Sequence, residues 1–443
     1  MKGVKRVEQN GRTERAILVG VILPGQVVDS DDPLEELRSL VKTAGAQVVG
    51  EIIVRRNTIH PGLFIGRGKA KEILSLAETL RADVVIFDTD LSPAQIRELE
   101  KVFSRRVLDR SEVILDIFAQ HARTRQAELQ VEFAQLEYTF PRLSHMWTHL
   151  ERVAAAGTPA AAVGGIGTRG PGEKQIEIDR RLIRKRITLL KRRLNSIDKQ
   201  RQRTVSKRRQ HFLICLVGYT NAGKSTLMNR LTSAGVSVAD KLFETLDTRT
   251  RCWKLATGQV ALLSDTVGFI SRLPHHLIAS FRATLEEVVG ADLLLHVADA
   301  SHRQVVQQIQ AVNKVLDEIG CRDKDQILLL NKVDKIIDPT IRTILKNKYP
   351  HAIFISALTG EGVDKVSQAV LERMRGKEVE VVIEADCTNG RLIQYLAHHA
   401  RKLDRTFHNH RVRLTATIGQ KHLAVLGRFG EDVMICPAHQ QAD

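Results

Sequence analysis

Residues 211–231 read HFLICLVGYTNAGKSTLMNRL and decide the fold of the surrounding chain. An apolar run with the length of a buried strand leads into the pattern G-x-x-x-x-G-K-S, and a helical pattern follows it. In such a loop, backbone N–H groups surround phosphate oxygens at the N-terminus of the helix. The pattern consists of Gly218, Tyr219, Thr220, Asn221, Ala222, Gly223, Lys224 and Ser225. The sequence therefore predicts an α/β domain with a P-loop.

Side chains in and after the P-loop carry the predicted phosphate and metal chemistry. Lys224 supplies a positive charge to the β- and γ-phosphates, and the Ser225 hydroxyl suits Mg²⁺. A second hydroxyl for the metal comes from Thr245, in the loop formed by Phe243, Glu244, Thr245, Leu246 and Asp247. The strand-like run VALLS leads into a D-x-x-G motif, which consists of Asp265, Thr266, Val267 and Gly268. Its carboxylate can hold Mg²⁺ through water and its Gly268 amide can contact the γ-phosphate, so we expect Lys224, Thr245 and Gly268 to act in catalysis.

Two further motifs predict which base is bound. The run QILLL leads into Asn331, Lys332, Val333 and Asp334, and the run AIFI leads into Ser356, Ala357 and Leu358. The Asp334 carboxylate can accept hydrogen bonds from N1–H and the 2-amino group of guanine, while a backbone N–H of the second motif can donate to O6. Adenine lacks the paired donors and would leave a desolvated carboxylate unsatisfied. In this order, the five motifs match translation-factor-like GTPases and predict a GTP hydrolase.

The sequence before the P-loop domain predicts two units of an α/β multidomain protein. Residues 1–110 alternate short apolar runs with capped helical patterns, which is typical of a small parallel α/β domain. Residues 111–210 contain a helical pattern from Ser111 to about Arg142 and, after a glycine-rich stretch, a second pattern. The apolar positions of the second pattern are Ile176, Ile183, Ile187, Leu190, Leu194 and Ile197. We expect an antiparallel helical hairpin with a glycine-rich tip.

The second half of the chain predicts two more domains. Residues 211–376 form the P-loop GTPase (Ras-like) domain, and residues 377–443 form a small C-terminal α+β domain. In the latter, VEVVIEA alternates like a strand, RLIQYLAHHARKL has a helical pattern, and RVRLTATI and KHLAVL are strand-like.

Charge and composition limit the kinds of function that the protein can have. The 443 residues carry a formal net charge of +16, and residues 181–209 contain thirteen Lys and Arg residues against one acid, Asp198. So concentrated a charge favours contact with RNA over a merely solvated helix face. No apolar run reaches the roughly 18 residues of a membrane span, so we expect a cytoplasmic protein without an integral membrane segment. Five scattered cysteines argue against a disulfide framework or a zinc site.

Seven segments resemble the HflX family of bacterial GTPases, along nearly the whole chain. They are FIGRGK (64–69), LSPAQIRELE (91–100), residues 107–138, GGIGTRGPGEKQIEIDRR (164–181), DTVGFI (265–270), residues 271–287 and LLLHVADAS (293–301). One position departs from the family, because Thr248 stands where proline is common. That difference concerns the rigidity of the loop after Thr245 rather than nucleotide binding.

The resemblance implies a protein that binds GTP or GDP with Mg²⁺ and docks on the large (50S) ribosomal subunit and its ribosomal RNA. It implies that the hairpin tip reaches toward the peptidyl-transferase region and that the protein splits stalled or stressed 70S ribosomes and recycles the subunits. We expect a monomer that does not bind DNA, and peripheral membrane association is the alternative to a purely cytoplasmic location. The alternative functions are an NTP-driven remodeller of ribosomal RNA and a non-enzymatic GTP-sensing adaptor.

Phe269 stands where Ras-like GTPases have the glutamine that orients the attacking water, and a phenyl ring cannot make that hydrogen bond. In GTPases that resemble this one at that position, an asparagine at the P-loop position of Asn221 often accompanies a potassium ion. The ion substitutes electrostatically for an arginine finger. The resemblance therefore implies slow intrinsic turnover, a catalytic role for Asn221 and K⁺ as a further cofactor.

Overall fold

The computed structural model describes residues 13–25, 32–142, 171–208, 211–232, 242–243, 249–255, 258–271, 287–375, 378–400, 402–408, 410–426, 429 and 433–437. For 171–176 and 198–208 it describes the backbone alone. These ranges contain three sheets, of four, six and four strands. None of the helices in these ranges combines the length and apolarity needed to cross a bilayer.

The first sheet is parallel, with the strand order β2-β1-β3-β4. Its elements are β1 (Arg15–Ile22), α1 (Glu35–Thr43), β2 (Gln47–Arg55), α2 (Arg67–Thr79), β3 (Val84–Phe87), α3 (Pro93–Phe103) and β4 (Arg106–Leu108). Strands and helices alternate as the sequence predicts. Helix α3 begins with a capping box, in which the Ser92 hydroxyl accepts from the Gln95 amide and the Gln95 side chain accepts from the Ser92 amide.

Two helices follow where the sequence predicted one long helix from Ser111 to about Arg142. They are α4 (Arg110–His121) and α5 (Arg125–Thr139), and a 3₁₀ turn (Phe140–Arg142) extends α5. The prediction of one helix was wrong because Ala122 is extended and Thr124 caps a new helix by accepting from the Ala127 amide at 3.2 Å.

Helix α6 (Pro171–Arg208) lies antiparallel to α5, as the hairpin prediction requires. Lys191 stands over the Phe133 ring and Arg184 over the Phe140 ring, so later residues of α5 meet earlier residues of α6. The seam buries Leu129, Phe133 and Leu190, and the other apolar residues packed against it are Leu136, Ile187, Leu194 and Ile197. Ile183 is half-buried, and the Ile176 side chain and residues 143–170, with the predicted tip, lie outside the described residues.

The second sheet has the order β10-β9-β8-β5-β7-β6 and is parallel except for the antiparallel edge strand β6. The elements of this domain are β5 (Phe212–Gly218), α7 (Lys224–Thr232), β6 (Arg249–Lys254), β7 (Val260–Asp265), β8 (Leu293–Asp299), α8 (Val305–Glu318), β9 (Gln326–Asn331), α9 (Pro339–Lys348), β10 (Ile353–Phe354) and α10 (Val363–Arg375). Strand β5 lies between β7 and β8, so the strands that follow it along the chain are added first on one side of β5 and then on the other. Open α/β sheets bind ligands at such a switch point, at the carboxyl ends of the strands.

The third sheet is antiparallel, with the order β12-β13-β11-β14. Its elements are β11 (Glu378–Asp386), α11 (Gly390–His399), β12 (Lys402–His408), β13 (Arg411–Gly419), α12 (Leu423–Leu426) and β14 (Met434–Pro437). The predicted helix RLIQYLAHHARKL was too long, because Ala400 is extended and Lys402 already begins β12. The strand predicted for KHLAVL is wrong: a 3₁₀ turn and α12 form there, and one helical turn suffices to bury Leu426.

The first two sheets share one hydrophobic core. It contains Leu37 and Phe118 from the N-terminal part of the chain together with Val217, Phe269 and Leu316 from the second sheet's domain. This shared core brings the N-terminal domain against the segment that follows β7.

Candidate nucleotide-binding site

The P-loop backbone requires glycine at two positions. Gly218 has a φ of 149°, and a Cβ there would lie 2.1 Å from the Val297 carbonyl oxygen of β8. Gly223 has a φ of 92°, and a Cβ there would lie 2.3 Å from Nδ2 of Asn331. Between them, Asn221 adopts the left-handed conformation (φ 60°), which asparagine tolerates better than most residues. The loop therefore curls tightly at the carboxyl end of β5, where the switch point lies.

Lys224 begins helix α7 with its ammonium group turned into the loop. The residue is only 7% exposed, and Nζ donates to the carbonyl oxygens of Gly218 at 3.1 Å and Tyr219 at 2.8 Å. Burial lowers the pKa of Lys224 to about 8, although the nearby Asp265 carboxylate acts in the opposite direction. A cation held this way is pre-oriented for the phosphates of a nucleotide.

The predicted metal ligands come together in part. The Ser225 hydroxyl donates to Oδ2 of Asp265 at 2.7 Å, and Asp265 is 1% exposed at the end of β7. The hydroxyl of the next residue, Thr266, donates to the Leu216 carbonyl at 2.6 Å. A hydroxyl and a carboxylate form the hard oxygen donor set that Mg²⁺ prefers, so these residues fit the predicted ion. Glu244, Thr245, Leu246 and Asp247 lie outside the described residues.

The segment of residues 265–271, here called the D-x-x-G loop, packs directly on the P-loop. The Phe269 amide donates to the Gly218 carbonyl at 3.0 Å, and the Thr220 amide donates to the Phe269 carbonyl at 2.7 Å. Val267 is buried before Gly268, where a Cβ would lie 2.8 Å from Cα of Thr220 and 3.0 Å from Nζ of Lys224. The backbone of the loop thus lies close to the ammonium group of Lys224.

The two predicted base-recognition motifs meet at Asn331. Its Nδ2 donates to the Ala222 carbonyl at 2.8 Å, and its Oδ1 accepts from the Ala357 amide at 2.9 Å, so this residue joins both motifs to the P-loop. The Val333 amide donates to the Ile355 carbonyl at 3.3 Å. The next residue, Asp334, is exposed.

Side chains beside these motifs fix the two loops. Lys332 has a φ of 62° and pairs with Asp299 at 2.7 Å. Ser356 is fully buried and its hydroxyl accepts from the Thr359 amide at 3.1 Å, whereas Leu358 is 69% exposed. Arg230, which sequence reasoning missed, donates to the carbonyls of Ala357 and Leu358. Nothing in the sequence near Arg230 could have identified this contact, because it joins α7 to a loop more than 120 residues later.

We expect nucleotide affinity to fall above about pH 8. The protonated form of Lys224 attracts phosphate, and its pKa of about 8 means that binding at higher pH must take up a proton. The dissociation constant should then rise up to about tenfold per pH unit. Fluorescence titration with labelled GDP from about pH 7 to about pH 9 measures this slope. The Lys224→Arg variant, whose guanidinium stays charged, should show little slope, and a flat wild-type profile would contradict the expectation.

Comparison with known proteins places this geometry in a family. Residues 31–119 match the family model described as "GTP-binding GTPase N-terminal", residues 121–208 match "GTP-binding GTPase Middle Region", and residues 213–332 match "50S ribosome-binding GTPase". GTPase HflX of Escherichia coli (strain K12) is 45% identical over 383 residues, which cover 86% of this chain and 87% of that protein.

A second relative matches a similar share of the chain. GTPase HflX of Lacrimispora saccharolytica is 45% identical over 368 residues, which cover 83% of this chain and 84% of that protein. Among solved structures, a GTP-binding protein from Sulfolobus solfataricus in complex with GDP aligns with a TM-score of 0.40 and 23% identity over 82% of this chain and 98% of that one. From the sequence relatives and the site, the chain is a GTP-binding GTP hydrolase that belongs to the HflX family.

Proposed function

We propose that this GTPase docks on the large (50S) ribosomal subunit in its GTP-bound form, splits stalled or stressed 70S ribosomes in the cytoplasm, and leaves after hydrolysis. The match of residues 213–332 to a model described as "50S ribosome-binding GTPase" supports the partner. The single observation that carries the proposal is the group of exposed basic side chains on helix α6, which precedes the nucleotide-binding domain in the same chain and has the chemistry to bind ribosomal RNA.

The basic residues of α6 include two groups that differ in their ion pairing. Arg186 pairs with Glu132 at 2.6 Å and Lys191 pairs with Glu137 at 3.2 Å, so both are engaged within the hairpin. A second group is exposed and has no ion-pair partner among the described residues: Arg181, Lys185, Arg192 and Arg193. Phosphates of RNA would neutralise this second group and release condensed counterions.

We expect the double variant Arg192→Gln/Arg193→Gln to weaken binding to 50S subunits about tenfold or more near physiological salt. Each lost phosphate contact should also reduce the slope of log K against log salt concentration by about 1. Co-sedimentation over a salt series measures both quantities. The matched control Arg186→Gln/Lys191→Gln removes the same charge from pairs inside the hairpin and should keep the wild-type slope. Equal slopes for all three proteins would contradict RNA contact by this face.

We infer that Mg²⁺ binds with the nucleotide at Ser225, with Thr245 as the second hydroxyl ligand and Asp265 acting through water. The support is the contact of the Ser225 hydroxyl with the buried Asp265 carboxylate. The ion would neutralise charge on the β- and γ-phosphates. Lys224 would hold the same phosphates from the P-loop side, and Asp334 would select guanine.

We further infer that K⁺ assists hydrolysis at Asn221. Phe269 is 3% exposed and its ring lies in the shared core, so it has no access to an attacking water. Asn221 is exposed on the P-loop, where a monovalent cation could act on the phosphates. Turnover should be at least about tenfold faster in potassium than in sodium buffer, as expected for an electrostatic contact in the transition state. Equal rates in the two buffers would remove this role.

Light scattering of 70S ribosomes tests the proposed function. Ribosomes should dissociate when the protein is added with GTP or with a non-hydrolysable analogue, but not with GDP. With the analogue, the protein should stay on the 50S subunit, because release requires hydrolysis. Intact 70S particles under all three conditions would contradict the proposal.

A further inference from the structure

One helix of the N-terminal domain contacts both the D-x-x-G loop and Phe243, the residue that begins the predicted Thr245 segment. Arg110, the first residue of α4, donates to the carbonyl of Ser271 in the D-x-x-G loop at 3.0 Å. Phe118, about two turns later, packs edge-on against Phe243, with ring centroids 4.7 Å apart. Phe243 lies two residues before the predicted metal ligand Thr245. Because eight helical residues span about 12 Å, one helix contacts Ser271 and Phe243 at two points about 12 Å apart along its axis.

The Arg110 guanidinium is held at both of its terminal nitrogens, whereas its buried Nε has no hydrogen-bond partner among the described residues. The residue is 2% exposed; Nη1 donates to Oδ1 of Asp88 at 2.7 Å, and Nη2 donates to the Glu36 carboxylate as well as to Ser271. Burial opposes the charge, but Glu36 and Asp88 outweigh it and raise the pKa of Arg110. The group is therefore charged throughout the physiological range and its planar fork has one orientation.

Tyr219, in the P-loop of the nucleotide-binding domain, contacts both Glu36 and Ser271. Its hydroxyl donates to the same Glu36 carboxylate and accepts from the Ser271 amide at 2.6 Å. Both backbone groups of Ser271 are thus held, the carbonyl by Arg110 and the amide by Tyr219. Glu36 anchors both holders, so the three side chains form one network around a single residue of the D-x-x-G loop.

Ser271, which these side chains hold, lies near the proposed phosphate site in the sequence. Ser271 lies three residues after Gly268, whose added Cβ would come 3.0 Å from Nζ of Lys224. Lys224 is the group proposed to take the β- and γ-phosphates, and Gly268 beside it is the residue predicted to contact the γ-phosphate through its amide. A displacement of about 1 Å at a reacting group can cost on the order of 100-fold in rate. The position of Ser271 therefore matters for hydrolysis more than for binding the diphosphate.

We propose that Arg110, Glu36 and Tyr219 are positioning residues for GTP hydrolysis, by which the N-terminal domain holds the D-x-x-G loop in its catalytic place. None of the three touches the reacting atoms. Arg110 and Glu36 act through Ser271, and Tyr219 acts through its hydroxyl rather than through the P-loop backbone. This inference concerns the GTPase reaction itself and does not depend on the ribosome as partner.

Steady-state hydrolysis by the full chain, without ribosomes, tests the proposal. Arg110→Lys keeps the charge but cannot reach Asp88, Glu36 and Ser271 at once, and it should lower kcat at least about tenfold. Tyr219→Phe removes one hydroxyl and should lower kcat about fivefold. KM for GTP and the affinity for labelled GDP should stay within about twofold of wild type. Because both residues act on Ser271, the double variant should be close to Arg110→Lys alone rather than multiplicative.

Matched controls separate positioning from loss of structure. Arg38→Lys alters an arginine of α1 that binds Glu51 and Asp32, and Tyr395→Phe removes a hydroxyl that contacts His422 in the C-terminal domain. Both should keep the wild-type kcat. The proposal is overturned if Tyr219→Phe matches Tyr395→Phe in kcat, if either test variant hydrolyses GTP faster than wild type, or if GDP affinity falls in parallel with kcat. Should Arg110→Lys fail to fold, Tyr219→Phe decides alone.

Discussion

Replacing Lys224 with alanine is expected to weaken GTP binding on the order of 1,000-fold. The ammonium group is held by two backbone carbonyls inside the P-loop, and we propose that it binds the β- and γ-phosphates there. Removing one partner from a buried charge contact of this kind costs several kcal/mol, here about 4 kcal/mol. Equilibrium titration with labelled GTP analogue and GDP measures the loss.

The fold should survive this change. Burial disfavours the charged form of Lys224, so an alanine in its place removes an unfavourable buried charge along with the favourable contacts. Lys324→Ala is the matched control: its Nζ donates to the Ala291 carbonyl at 2.6 Å just before β9, at the end of the sheet away from the P-loop. This control should bind nucleotide normally. Wild-type affinity in Lys224→Ala would disprove the assignment of the phosphate site.

Replacing Asp334 with asparagine is expected to exchange guanine for xanthine as the preferred base. The carboxylate is proposed to accept from two donors of guanine, whereas the amide would face the 2-amino group with a donor of its own. Leaving such polar groups unpaired in a site built for hydrogen bonds costs on the order of 1,000-fold or more in discrimination. Xanthine carries a carbonyl at that position and would accept from the new amide. Competition of GTP and XTP against a labelled nucleotide measures the exchange.

A neighbouring residue supplies the control for this substitution. Asp338 caps helix α9 by accepting from the Thr340 amide at 2.8 Å, and asparagine caps a helix as well as aspartate does. Asp338→Asn should therefore keep guanine preference and stability. If Asp334→Asn retained the GTP preference of this control, base recognition would have to come from another residue.

Local sequence signals predicted the fold class and the parts of the site that the fold brings together. The P-loop follows a strand and starts a helix, and strand ends in a parallel sheet meet at one edge, so Asp265 and Asn331 both contact the P-loop, at Ser225 and Ala222. The capping box at Ser92 was equally readable because all of its atoms lie within four residues.

The features that the sequence could not predict depend on tertiary contacts. Arg110 reads as a basic residue at the start of a helix, which is usually exposed, and only the packing of two domains buries it between Asp88, Glu36 and Ser271. The sequence shows that Phe269 replaces a catalytic glutamine, but it does not show that the Phe269 ring packs in the core shared by the two domains. The short run KHLAVL has no periodicity that separates a strand from a helical turn, so its structure depends on what it packs against.

The central claim is that one chain couples a guanine-specific hydrolytic site to a cationic helix that binds the large ribosomal subunit. GTP turnover measured with and without saturating 50S subunits tests it most directly. Subunits should accelerate turnover at least about tenfold, and Arg192→Gln/Arg193→Gln should require a higher subunit concentration to reach the same rate. Turnover that stays at its basal value in saturating subunits would contradict the claim.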